Sequence, residues 1–301
     1  MPSKQFISGR GCPFNCTYCF NHQYRAMFKG CGQYVRKKSV DYLFAELAQV
    51  KQRYGLQNVA FSDDTFIIDK KWFAEFCARF PKEVGLTYNC SVRANLVDED
   101  VARMLSESGC AGVMWSIETA DIKLRNEVLR RAISDEQIEL TAYWLSRYKV
   151  PFRIGNMIGL PGESIDQMLQ TIRANINARP ALAYATVFVP FPGLSLSQYA
   201  VEHGYYNPDT PLPKNCFTES PLNYDPAEKD MIRRLMCCFP FFVRFPVLFN
   251  CKYLRRVCLG IPYWLIKIIF GVYFPYALSR AYMLKVGLWF KMRMAVRFLR
   301  G

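Results

Sequence analysis

Histidine is nearly missing from this chain of 301 residues: only His22 and His203 are present, too far apart to suggest a metal site. Acidic residues are missing altogether from residues 231–301, where thirteen Lys or Arg stand without one Asp or Glu. The other 26 basic residues are nearly balanced by 25 acidic ones, so the formal charge of +14 sits almost wholly in the C-terminal part. A secretory signal is absent from the N-terminus, and the first cysteines are grouped as metal ligands are. The twelve cysteines therefore read as thiols in a reducing, cytoplasmic setting and not as a disulfide framework. An unbroken apolar run of spanning length is also absent. The stretch 261–278 comes near it but carries Pro262, Lys267 and Pro275, which makes a poor transmembrane helix. With 51% hydrophobic residues, a sizeable core is available and disorder is excluded as the main state.

What is present is concentrated in Gly9-Arg10-Gly11-Cys12-Pro13-Phe14-Asn15-Cys16-Thr17-Tyr18-Cys19. Cys12, Cys16 and Cys19 have the spacing C-x3-C-x2-C in a loop rich in Gly, Pro and Asn, which can curl so that thiolates converge. Thiolates favour soft metals and iron–sulfur clusters, which normally take four cysteines. Three leave one metal position open, as catalytic metal sites do. A zinc knuckle and a ferredoxin-like electron carrier are the alternatives. The remaining cysteines carry no such pattern. Cys31, Cys77, Cys90, Cys110 and Cys216 are scattered and read as small apolar side chains, and Cys237, Cys238, Cys251 and Cys258 lack any C-x2-C pair.

Behind the loop, short apolar runs alternate with stretches whose apolar residues recur every three to four positions. The spacing predicts a first strand at 6–8, then helices over 39–54, 70–80, 98–108, 134–147 and 165–179. Strands fall between them at 58–62, 86–91, 111–117, 152–158 and 183–189. Short apolar strands alternating with helices mean repeated βαβ units and a parallel sheet. Six units fall short of the eight of a closed barrel, so the expected fold is α/β, a partial (β/α)6 TIM-like barrel with a basic, mostly helical extension. The expected division is a core over 1–225 and an extension over 226–301. Few residues precede the cysteine loop, which suits equally a natural short form and a fragment of a longer protein.

The cysteine stretch resembles the cluster motif of the radical S-adenosylmethionine (SAM) enzymes, C-x3-C-x-aromatic-C, with Tyr18 as the aromatic. Gly9-Arg10-Gly11-Cys12-Pro13 and Cys19-Phe20-Asn21 are similar to the subgroup that often carries an upstream cobalamin domain. The resemblance covers roughly residues 4–195. It implies that Cys12, Cys16 and Cys19 ligate a [4Fe–4S] cluster whose open iron is chelated by SAM. Residues at the C-terminal ends of strands, where parallel α/β folds gather function, then acquire roles. Asp63 and Asp64 match the motif that holds the SAM amino group, and Arg93 is placed for its carboxylate. Glu118, in Ser116-Ile117-Glu118-Thr119, is similar to the ribose-contacting segment. Gly159, Pro161 and Gly162, in Ile158-Gly159-Leu160-Pro161-Gly162-Glu163, resemble the segment lying against adenine. Taken singly, the Asp pair reads as a turn or cap, Arg93 and Glu118 as each other's partners, and the glycines as a tight turn.

The reaction so implied is reductive cleavage of SAM to a 5′-deoxyadenosyl radical, fed by a reductant such as flavodoxin or ferredoxin. Cobalamin-dependent methyl transfer requires an upstream domain, so cobalamin enters only on that condition. A tRNA-modifying methylthiotransferase would need a further cluster domain and a small RNA-binding barrel, neither of which is visible. The basic tail mixes Trp, Phe and Leu with Lys and Arg. In it, Leu284, Leu288, Met292, Ala295 and Leu299 form one stripe, with Lys285, Arg293, Arg297 and Arg300 beside it. This suits a helix on an anionic membrane surface and a lipid or membrane-bound substrate, with the protein peripheral on the inner face. A helical layer packed on the core is the other reading, and the apolar character disfavours nucleic acid.

Overall fold

The computed structural model describes residues 3–281; the stripe expected between Leu284 and Leu299 lies outside the described residues. Six strands form one sheet in the order β1 (Ser3–Phe6), β4 (Asn58–Phe61), β5 (Thr87–Ser91), β6 (Cys110–Glu118), β7 (Phe152–Ile158) and β8 (Leu182–Val187). The pairs β1–β4, β4–β5 and β5–β6 are parallel. A helix follows each of β4 to β7: α3 (Lys70–Glu83), α4 (Glu99–Glu107), α5 (Asp135–Arg147) and α6 (Ile165–Ala178). This is the strand order of a (β/α)6 fold, as the alternating periodicity implies.

The helix starts follow local chemistry. Ser39 caps α2 (Val40–Tyr54), accepting from the Tyr42 amide, and Gly55 ends it in the left-handed region at φ 59°. Asp98 caps α4, and Ser134 and Ser164 open α5 and α6 with capping boxes closed by Gln137 and Gln167. Helix α3 runs past Phe80 to Glu83 with Pro81 inside it. The first strand differs from expectation. It is Ser3–Phe6, in register with Asn58–Phe61, while Ser8 is drawn into a buried hydrogen-bond cluster described below.

The chain divides into two compact units. The first takes residues 1–15, 20–115 and 133–153. Its core is aromatic: Phe61, Phe66, Phe76, Phe80 and Tyr88 meet ring against ring at centroid distances of 4.6 to 5.9 Å. A short antiparallel pair, β2 (Gly9–Arg10) with β3 (Arg36–Lys37), stands apart from the main sheet, followed in sequence by Cys12. Cys77, Cys90 and Cys110 are buried there, as small apolar side chains are, whereas Cys31 is exposed.

The second unit takes residues 16–19, 116–132 and 154–301. Within it α7 (Ser195–Glu202) is followed by α8 (Pro226–Arg244), which packs on β8 and α6 through Ile232, Leu235, Phe239 and Phe242. The extension therefore begins as a layer on the α/β core. Then come α9 (Pro246–Asn250), α10 (Lys252–Gly260) and α11 (Tyr263–Ala281).

Candidate functional site

In the first unit the approach to Cys12 is built on close contacts. Gly11 has φ +83°, and a Cβ there would lie 2.5 Å from the Tyr34 carbonyl oxygen and 3.0 Å from its ring. No other residue fits that position without moving backbone. Tyr34 is in turn fixed by donating to the Asn21 side chain at 2.7 Å. Arg25 on α1 (Asn21–Met27) donates to the Pro13 carbonyl at 3.2 Å and to the Asn15 side chain, which clamps the loop between two of its cysteines. The Cys12 sulfur lies 3.9 Å from the Thr65 hydroxyl oxygen.

The turn after β4 places its two aspartates differently. Asp64 is exposed, and Asp63 is buried. Asp63 accepts from the Ser8 amide at 3.0 Å, the Ser8 hydroxyl at 2.6 Å and Lys37 Nζ at 3.0 Å. Lys37 also donates to the Phe66 carbonyl at 2.9 Å and lies over the Trp72 ring, 4.4 Å from its centroid. Burial lowers the Lys37 pKa, and the Asp63 charge opposes that fall. Asp63 is thus held by the protein and fixes the turn, leaving Asp64 as its outward carboxylate, with Thr65 buried beside it. Arg93, after β5, is buried with its guanidinium carbon 3.9 Å from the Phe14 ring centroid. Arg93 is thus held over a residue of the cysteine loop.

In the second unit the segment 16–19 is pinned at both ends. The Thr17 amide donates to Leu129 O at 3.2 Å, its hydroxyl to Val128 O at 2.8 Å, and the Leu196 amide to Thr17 O at 3.0 Å. Cys19 N closes a turn onto Cys16 O at 3.1 Å. The Tyr18 hydroxyl donates to Glu118 at 3.1 Å, and Arg131 donates to the same carboxylate oxygen at 3.1 Å and to the tyrosine oxygen. Burial drives the Tyr18 pKa well up. Burial works against the Arg131 charge, but Tyr18 and Glu118 beside it outweigh that and hold its pKa above the usual value. Glu118 ends β6 at φ 67°, a conformation that costs a non-glycine residue on the order of 1–3 kcal/mol and collects at functional sites.

The segment after β7 is also tightly built. Burial pushes the Glu163 carboxyl up to about 8, although it accepts from the Leu160 amide at 3.1 Å and the Thr119 hydroxyl at 3.1 Å. Tyr224 donates to the Leu160 and Glu163 carbonyls at 2.5 and 2.9 Å. At Gly162, φ +77°, a Cβ would meet the Tyr205 hydroxyl at 2.9 Å; at Gly159 it would meet Ile232 of α8 at 3.4 Å. The atoms that these glycines admit here belong to the protein, and Pro161 lies buried between them.

Sequence reasoning missed Lys37, Arg131 and Thr119. Lys37 lies in the run Arg36-Lys37-Lys38, which reads as a solvated face, and Arg131 in a similar doublet. Only positive φ at Arg130 and Ala132, which no sequence pattern announces, turns Arg131 inward.

Among the described residues no group of three or more His, Cys, Asp or Glu is gathered closely enough to hold a metal ion. The fit of an iron–sulfur cluster rests on donor chemistry: three thiols on one loop whose backbone is fixed on either side by the bonds above.

Comparison with known proteins adds the following. The model of the Radical SAM superfamily matches residues 6–174. An uncharacterized methyltransferase of Pyrococcus horikoshii is 28% identical over 203 residues, 67% of this chain and 42% of the relative. The cytidylyl-2-hydroxyethylphosphonate methyltransferase of Streptomyces wedmorensis is 23% identical over 227 residues, 73% of this chain and 41% of the relative. The chain thus spans about two fifths of the length of these relatives. Among solved structures, the radical SAM methyltransferase TsrM of Kitasatospora setae, with cobalamin and a [4Fe–4S] cluster bound, superposes with a TM-score of 0.58 at 16% identity. That match covers 68% of this chain and 41% of TsrM. At that identity the likeness is one of fold.

Proposed function

The chain belongs to the radical SAM superfamily, and from that premise we propose that it is an enzyme that cleaves SAM reductively and directs the resulting radical at a substrate hydrogen. A [4Fe–4S] cluster with SAM, when bound, supplies the electron and the 5′-deoxyadenosyl radical. The three thiolates of Cys12, Cys16 and Cys19 hold that cluster. Arg93, held over the Phe14 ring, would pair with the SAM carboxylate. Asp64, exposed beside the fixed Asp63, accepts from the amino group. Glu118, its carboxylate oriented by Tyr18 and Arg131 through one oxygen, would face the ribose. Gly159, Pro161 and Gly162 set the loop against adenine, and the neighbouring Glu163 keeps that loop rigid.

The observation carrying this reading is the tie from Tyr18, inside the cysteine motif, to the carboxylate at the end of β6. It links motif and strand end within one unit, as a SAM-binding role requires and an electron carrier does not. A flavodoxin- or ferredoxin-type reductant would supply the electron. The substrate is a lipid or membrane-bound molecule, a reading supported by the basic, aromatic C-terminal part, and the enzyme acts from the cytoplasmic side.

A second reading, methyl transfer, is favoured by the names of the two relatives, with cobalamin entering only if an upstream domain exists. Electron paramagnetic resonance of the reconstituted, reduced protein tests the first reading. Added SAM should change the cluster signal; an unchanged signal would make the protein an electron carrier.

A further inference from the structure

Helix α11 is apolar on two opposite faces. Ile266, Phe270 and Phe274 are buried, with Phe274 packed on Tyr184 of β8 at 5.5 Å between ring centroids. The other face carries Trp264, Ile268, Val272 and Tyr276 at four-residue spacing, all exposed, with Trp264 at 64% and Val272 at 59%. That stripe runs about 18 Å along the helix. Before it, α10 buries no residue at all, although it carries Tyr253, Leu254 and Val257. Tyr253 is 82% and Val257 64% exposed. A nine-residue helix with nothing buried is marginal in water, where helices depend on packing an apolar face. Phe245 and Val247, at the start of α9, are exposed as well.

The charges that α9 to α11 themselves carry have one sign. Arg244, Lys252, Arg256 and Arg280 are exposed, and no Asp or Glu occurs after Asp230. An apolar surface whose own helices carry only cations fits an anionic interface and would repel a basic one. Among the described residues no single helix is long and apolar enough to cross a membrane, and α10 and α11 meet at a bend of 100°. A bent pair with aromatic side chains at its rim suits the headgroup level, where Trp and Tyr are favoured.

We propose that α10 and the exposed face of α11 form a docking surface for anionic lipid bilayers, with Tyr253, Val257, Trp264 and Val272 entering the headgroup boundary and Lys252 and Arg256 meeting lipid phosphates. The docking does not depend on the radical chemistry, so it stands or falls separately from the reading above. It is distinct from packing on the core, which the opposite face of α11 already provides.

The test is flotation of the full chain with vesicles of phosphatidylcholine alone or mixed with phosphatidylglycerol, at low and high salt. The protein should float with the anionic vesicles and several-fold less with neutral ones, and high salt should weaken binding. Trp264→Asp with Val272→Asp should lower partitioning at least about ten-fold, and Tyr253→Ser with Val257→Ser should lower it by a smaller factor. Thermal melting and SAM-dependent EPR changes near those of the parent show that the variants fold. Absence of flotation with anionic vesicles would overturn the proposal. So would flotation indifferent to lipid charge, or flotation undiminished in both folded variants, which would assign membrane contact elsewhere or show this face covered by protein.

Discussion

The guanidinium of Arg93 is stacked on the ring of Phe14, 3.9 Å from guanidinium carbon to ring centroid, so the arginine that ends β5 is oriented by a residue lying between two cysteines of the motif. An aromatic face under a desolvated guanidinium contributes roughly 2 kcal/mol. Phe14→Leu should keep the loop filled but release the arginine, raising the Kd for SAM several-fold in equilibrium binding. Arg93→Lys keeps the charge and loses the planar fork, and its Kd should rise at least about ten-fold.

Asp63 and Lys37 form a buried pair that holds β3 and the acidic turn on the Ser8 backbone. Lys37→Met leaves a buried carboxylate without its cation, which costs about 3–5 kcal/mol. Denaturant melts should show that loss. Lys37→Met with Asp63→Asn should recover part of it, since the remaining amide keeps the Ser8 contacts.

Glu163 gives a pH dependence of definite sign. Its folded pKa of about 8 lies above the unfolded value near 4.5. Between those values the folded chain keeps a proton that the unfolded chain has released, so this group's contribution to stability falls as pH rises through that window and is lost above about 8. Glu163→Gln mimics the protonated form, able to accept from Leu160 and donate to Thr119. Melts between pH 5.5 and 8.5, a range set by this window, should be flatter with pH for the variant. Parallel slopes would show that Glu163 is ionised in the fold.

Tyr18→Phe removes the hydroxyl shared by Glu118 and Arg131 while leaving the aromatic ring of the motif in place. Stability should fall by about 1 kcal/mol. Iron and sulfide content after reconstitution should be unchanged, whereas SAM cleavage should slow, because Glu118 loses one of the two groups fixing it. A loss of cluster instead would make Tyr18 a scaffold of the loop.

Much of this arrangement is legible in the sequence because local rules decide it. The caps Ser39, Asp98, Ser134 and Ser164 and the short apolar strands set most elements within a residue or two, although α3 runs three residues past its expected end. The strand-end positions of Asp63, Arg93 and Glu118 follow directly. What escapes is which charged residues turn inward, since that depends on partners distant in sequence. Lys37 meets Asp63 across 26 residues, and Arg131 reaches Tyr18 across 113. The first strand lies earlier than its composition suggests for a related reason. Phe6-Ile7-Ser8 has the composition, but Ser8 is taken by the Asp63 cluster and the ladder uses Ser3–Phe6. The glycines of the segment after β7 look alike in sequence whether a ligand or Ile232 and Tyr205 approach them.

The most direct measurement is 5′-deoxyadenosine formed from SAM and dithionite by the anaerobically reconstituted protein, beside the variant with Cys12, Cys16 and Cys19 all changed to Ala. Formation by the parent and none by the triple variant is the expected result. A parent that holds an intact cluster and yields no 5′-deoxyadenosine would contradict the assignment as a SAM-cleaving enzyme.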